Sequence, residues 1–79
     1  MQRTLDFRSI GRRVAGKRVE HGLKQRDLAQ MVNVSLRTIS LLETGGRTNI
    51  TLAVLASIGK VLGLSLDAMV YGTTELTRD

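Results

Sequence analysis

Apolar residues return every three or four positions in five blocks of this chain, the spacing that lines one face of an α-helix. Phe7, Ile10 and Val14 mark the inner stripe of a first helix, which Asp6 can cap and which runs to about His21, with Gly22 as its stop. Leu28, Ala29 and Val32 form the inner face of a second helix, from Gln25 to about Val32. In the third, Ile39 and Leu42 point one way, together with Val34 just before its cap, Ser35; the Ser35 hydroxyl is expected to accept the backbone N–H of Thr38. Leu52, Leu55, Ile58 and Leu62 predict the core face of a fourth helix, capped by Thr51 and ended by Gly63, with Gly59 allowing close packing. Ser65 then caps a last short helix carrying Leu66, Met69 and Val70, closed by Gly72. The organisation expected is a flexible arm over residues 1–5, a domain over 6–72 and a polar tail over 73–79.

Three positions sharpen this pattern. Continuing the inner stripe of the first helix leads to Arg18, and a guanidinium on a buried face needs a partner. Glu43, near the end of the third helix, is the candidate. Asn33 is one of the few non-glycine residues that tolerate the left-handed backbone of a tight turn. Ala29 is small enough for the next helix to cross close by. A helix of about eight residues, a three-residue turn opened by Asn33 and a helix of about nine make the spacing of a helix-turn-helix, here over residues 25–44. Lys24 is a poor N-cap for the first of these helices, and Asp27 in its first turn compensates only in part. Leu36, Arg37, Ser40, Leu41 and Thr44 fall on the outward side of the third helix.

Composition narrows the partner. Seventy-nine residues make one domain, near the size at which a lone core supplies only about 3–5 kcal/mol. Cysteine and proline are absent, so neither a disulfide framework nor a thiolate metal site is available, and the chain reads as all-α. No membrane span or signal peptide is expected. The formal charge of +5 comes largely from Arg3, Arg8, Arg12, Arg13, Arg18, Arg26, Arg37, Arg47 and Arg78, and points to a polyanion. One tyrosine and one phenylalanine do not make a stacking platform for single strands, so duplex DNA is the better candidate. His21, the single histidine, suits a helix C-terminus and carries no further role. With carboxylates scattered at Asp6, Glu20, Asp27, Glu43 and Asp67, no nucleophile–base or metal constellation can be assembled, and no enzyme is expected.

The run from Leu23 to Ser35, continuing through Thr38-Ile39-Ser40 and Leu42-Glu43, resembles the phage-repressor (Cro/cI, or Xre) type of helix-turn-helix, and the likeness extends from Ile10 to about Tyr71. Its marks are Gln25 opening a helix, Ala29, the Val34-Ser35 pair, Thr38-Ile39-Ser40, and Glu43 before a glycine turn. The resemblance implies a compact five-helix, lambda-repressor-like DNA-binding domain. It implies that Leu36, Arg37, Ser40 and Leu41 read bases in the major groove, that Gln25 contacts a phosphate, and that Arg47 grips the backbone after the Gly45-Gly46 turn. Arg26, Ser35, Thr38 and Thr44 complete the candidate phosphate contacts, and Arg18 with Glu43 matches a family ion pair, in agreement with the periodicity. Lys24 in place of the usual hydroxyl cap, Asn33 in place of glycine and Ile50 in place of a common proline depart from the family pattern.

Arg37 can donate a bidentate pair to guanine O6 and N7, and Leu36 and Leu41 can pack on thymine methyls, unless one leucine folds back onto the protein. The outer side of the fourth helix is apolar as well: Ala53, Val54, Ala56 and Val61, relieved only by Ser57 and Lys60. That surplus predicts a homodimer, with Val54, Val61, Met69, Val70 and Tyr71 as candidate interface residues. The function expected is a sequence-specific repressor on an inverted-repeat operator, cytoplasmic in a bacterium or phage host and nucleoid-associated, with no cofactor, metal or small-molecule ligand. A DNA-binding antitoxin that also masks a toxin, or a restriction–modification controller, remains open. An interaction module that has lost DNA binding is disfavoured by Gln25, Arg37 and Arg47 all being present.

Overall fold

A computed structural model describes residues 6–46 and 50–72 of the chain. The expected arm over 1–5, the loop cation Arg47 and the expected tail over 73–79 lie outside the described residues. Five helices follow one another: α1 (Phe7–Glu20), α2 (Gln25–Met31), α3 (Leu36–Thr44), α4 (Leu52–Leu62) and α5 (Leu66–Tyr71), with no strand among the described residues. This is the all-α architecture expected, and no helix among the described residues is long and apolar enough to cross a membrane.

Local chemistry sets each boundary. Asp6 Oδ1 accepts from the backbone N–H groups of Arg8 (3.1 Å) and Ser9 (3.3 Å). Thr51 Oγ1 accepts from Val54 N (3.2 Å), and Ser65 Oγ from Ala68 N (3.0 Å), so at each of these two sites one side chain satisfies one of the four N–H groups that a helix start leaves unpaired. Lys24 caps nothing with its side chain, as its chemistry requires; Asp27 Oδ2 instead accepts from the Lys24 backbone N–H (2.8 Å), which is half of a capping box.

The core gathers the inner faces of all five helices: Ile10, Val14, Leu28, Ile39, Leu42, Ile58, Leu62 and Met69 are its largest fully buried side chains. Two expectations are corrected here. Leu52 is 68% exposed and is not part of the core face of α4, which is Leu55, Ile58, Gly59 and Leu62. The chain covers α4 at the level of Gly59, where a Cβ would overlap the Leu64 carbonyl oxygen, and that point is about 10 Å further along the axis than Leu52. Met69 is 0% exposed and cannot serve as an interface residue. Its Cε would lie 3.4 Å from a Cβ built on Gly59, so the glycine makes the room that the methionine fills.

Candidate nucleic-acid interface

The turn between α2 and α3 is set by Asn33 at φ 60°, the one described non-glycine residue with positive φ. Beside it, Val34 N donates to Ala29 O (2.9 Å), which draws the start of α3 against the buried Ala29 of α2. Ser35 then caps α3: its Oγ accepts from Thr38 N (3.1 Å) and shares a hydrogen bond with Thr38 Oγ1 (2.9 Å). At the far end Gly45 takes the left-handed conformation, and Gly46 N returns to Leu41 O (2.8 Å).

With both ends fixed, the helix divides cleanly. Ile39 and Leu42 are fully buried, whereas Leu36 and Arg37 are exposed, Ser40 and Leu41 half-buried, and Thr44 exposed. Neither Arg26 nor Arg37 has a hydrogen-bond or ion-pair partner among the described residues. Leu41 leans toward the turn, its Cδ2 3.0 Å from a Cβ built on Gly46, so of the two outward leucines it is Leu36, 50% exposed, that stands free. The Thr44 hydroxyl donates back to Ser40 O (3.0 Å) or Leu41 O (3.2 Å), so its proton is engaged within the helix.

Behind this face sits the ion pair inferred from periodicity. Arg18 Nε donates to Glu43 Oε2 (2.7 Å) and Arg18 Nη2 to Glu43 Oε1 (3.0 Å), a bidentate fork with side-chain exposures of 15% and 5%. The third arm of the guanidinium, Nη1, donates to Leu23 O (2.7 Å). Hydrogen bonding to Glu43 pushes the Arg18 guanidinium above its ordinary value, against the opposing effect of burial, so it stays charged throughout the physiological range.

Three features of the site were not visible in the sequence reading. Gln25 Nε2 donates to Glu43 Oε1 (3.0 Å), so the candidate phosphate ligand at the start of α2 is tied to the same carboxylate as Arg18. Gly11 lets α1 cross α3 in backbone contact, since a Cβ there would overlap the Leu42 carbonyl oxygen. Its signal was a glycine inside a helical stripe, a substitution that is unfavourable unless packing demands it. Arg13 Nη1 donates to the carbonyls of Met69 (2.7 Å) and Val70 (3.2 Å), fastening the end of α5 to α1.

The candidate interface residues on α4 and α5 are mixed: Val54, Val61 and Val70 are half-buried, Tyr71 is exposed, and Leu52, Ala53 and Ala56 of α4 are exposed beside them in sequence. Among the described residues no group of three His, Asp or Glu side chains is placed to hold a metal ion.

A helix-turn-helix family model matches residues 15–69. Among solved structures, the chain is similar to the clp gene regulator ClgR from Corynebacterium glutamicum, 29% identical over 86% of this chain and 86% of that one, with a TM-score of 0.73. It is similar to SinR, a master regulator for biofilm formation solved in complex with DNA, at 28% identity over 76% of this chain and 95% of that one (TM-score 0.69). A third likeness is to the restriction-modification controller protein C.Esp1396I, 28% identical over 85% of this chain and 87% of that one (TM-score 0.69).

Proposed function

Since the chain belongs to the helix-turn-helix family, we propose that it is a sequence-specific regulator of transcription that represses by occupying an inverted-repeat operator in double-stranded DNA as a homodimer. The observation that carries this reading is the outward side of α3. There an exposed Arg37, without a partner among the described residues, stands beside an exposed Leu36 on a helix whose back is locked into the core. Such a guanidinium can donate two N–H groups to O6 and N7 of one guanine, a pairing worth about 1–3 kcal/mol of discrimination, while Leu36 suits a thymine methyl and Ser40 and Leu41 border them. Gln25, Arg26, Ser35, Thr38 and Arg47 are the proposed backbone contacts, with Thr44 once its hydroxyl turns from the Ser40 and Leu41 carbonyls to a phosphate, and the net charge of +5 favours the approach to DNA.

The exposed apolar side of α4, Leu52, Ala53 and Ala56 with the half-buried Val54 and Val61, supports pairing with a second copy, to which Val70 and Tyr71 of α5 would add. Pairing would set two reading helices about 34 Å apart, one turn of DNA. In this reading residues 6–72 are the DNA-binding domain, the molecule is a binding protein and not an enzyme, and it works where the nucleoid is, in the cytoplasm. Selecting bound duplexes from a random pool tests it. The expected product is an approximate inverted repeat with a guanine flanked by thymines in each half. A pool without enrichment removes sequence-specific binding, and a lone asymmetric half-site removes the homodimer.

The same α4 surface favours a second reading, in which it takes a non-identical protein, as a toxin-masking antitoxin would; a restriction–modification controller is the other alternative. Likeness to SinR, which is also solved as a complex with SinI protein, supports a non-identical partner, and likeness to C.Esp1396I supports a controller. A stoichiometric non-identical protein recovered with the chain from its native cell distinguishes this reading from the first.

A further inference from the structure

Arg8 lies in the first turn of α1 and packs on the far end of α3. A Cβ built on Gly45, the left-handed cap of α3, would lie 3.1 Å from Arg8 Cα, 3.2 Å from its Cβ and 3.3 Å from its Cγ. The next residue, Gly46, rests against Leu41 on the outward side of the same helix. The stem of Arg8 is therefore continuous, through two glycines, with the C-terminal end of the reading face.

Its head group is uncommitted. Arg8 is exposed, and its guanidinium has no hydrogen-bond or ion-pair partner among the described residues. Asp6, two residues away, is occupied: its carboxylate accepts from Arg8 N (3.1 Å), Ser9 N (3.3 Å) and Ser9 Oγ (2.9 Å). A cation at this place would also suit the negative end of α3. Two of the carbonyls there already have donors: Leu41 O receives Gly46 N (2.8 Å) and Leu42 O receives Gly45 N (3.2 Å). With no carboxylate among the described residues paired to it, the Arg8 guanidinium is open to an anion from outside the chain.

We infer that Arg8 binds a phosphate of the duplex that α3 reads, so that α1 supplies a backbone contact at the C-terminal end of α3, in addition to those proposed on α2, α3 and the following loop. The inference rests on the DNA-binding reading above. The test compares wild type, Arg8→Gln, Arg8→Lys and Lys60→Gln by fluorescence titration of the full chain on a duplex taken from the random-pool selection, from 50 to 200 mM salt. Lys60 is exposed on α4 and serves as the charge-matched control. Each phosphate neutralised contributes about 0.9 to the salt slope on B-DNA, so over this fourfold range the ratio of wild-type to Arg8→Gln affinity should shrink about 3.5-fold per bound chain. Arg8→Lys should keep most of the wild-type slope, and Lys60→Gln all of it.

A wild-type chain that binds no duplex fails the functional reading itself. A wild-type chain that binds, with Arg8→Gln retaining its slope, overturns only the assignment of Arg8, as does an equal fall in slope for Lys60→Gln. If Arg8→Gln loses affinity by unfolding, its melting temperature falls while the slope of the folded fraction stays at the wild-type value, and Arg8 is then a brace for the end of α3, against the inference.

Discussion

Removing either half of the Arg18–Glu43 pair should do more damage than removing both. Breaking a buried pair leaves one charge without its counterion, typically a loss of about 3–5 kcal/mol, whereas an exposed pair is worth roughly 0–1 kcal/mol. With side-chain exposures of 15% and 5% this pair belongs near the buried class, and the two ends differ. Glu43→Ala leaves Arg18 bonded to the Leu23 carbonyl and partly able to reach water, which points to a loss of about 2–3 kcal/mol. Arg18→Ala strands a nearly enclosed carboxylate with only the Gln25 amide, so about 3–4 kcal/mol is expected. A domain of this size has only about 3–5 kcal/mol from its core, and Arg18→Ala would therefore leave much of the chain unfolded at 25 °C. The double substitution Arg18→Met with Glu43→Leu removes both charges and keeps volume, and should be more stable than either single variant. Urea denaturation followed by far-ultraviolet circular dichroism measures all four chains. Losses below about 0.5 kcal/mol for the single variants, or a double variant whose loss is their sum, would refute the claim that the pair acts as a buried unit.

Other substitutions probe the reading face and the helix crossings. Arg37→Ala should weaken binding to the selected duplex by about 1–3 kcal/mol and relax preference at one base pair, read by repeating the random-pool selection; an unchanged preference excludes Arg37 from base reading. Arg47→Ala should weaken binding to every duplex and lower the salt slope by about one, and a slope that does not move takes this residue off the DNA backbone. Gly11→Ala should destabilise the domain by about 1–3 kcal/mol, because the added methyl meets the Leu42 carbonyl where α1 crosses α3. Gly16→Ala, on the same helix with nothing within 4 Å of the new methyl, should raise stability by about 0.5–1 kcal/mol, and thermal melts that rank the two glycines the other way would contradict the packing described.

What could be read from the sequence was what depends on residues close together in it. The Ser35, Thr51 and Ser65 caps and the left-handed Asn33 are each set within one turn of chain, and each stands where the pattern put it. Arg18 with Glu43 is the exception that shows why: it is a long-range pair, yet a charge on an apolar stripe advertises that a partner must exist. Nothing of that kind announces Gly11 against Leu42 or Arg13 on the end of α5, because a backbone carbonyl is present at every position and leaves no mark in the residue letters. Leu52 and Met69 were misplaced for a related reason. Periodicity assigns a side of a helix, but whether that side is covered at a given level depends on where the chain folds back, at Leu64 for α4.

The energetics of reading DNA bear on why two apolar and polar faces should coexist in so small a domain. Specific complexes are typically about 4–10 kcal/mol tighter than non-specific ones. One bidentate arginine offers about 1–3 kcal/mol, and Leu36 against a methyl adds less, so a single copy of α3 falls at or below the bottom of that range. Doubling the helix doubles the discrimination without lengthening the chain, provided the second copy is held at one turn of DNA. The side of α4 that carries Leu52, Ala53 and Ala56 is where a copy could be held, since α4 packs chiefly on α1 and α5 while α3 packs chiefly on α1 and α2. Burial of that side would also add the stability that a core of this size lacks. If α3 reads DNA and α4 holds a second copy as proposed, the outward side of α3 and the apolar side of α4 would answer two shortages, of specificity and of core, and neither would be worth its exposure without the other.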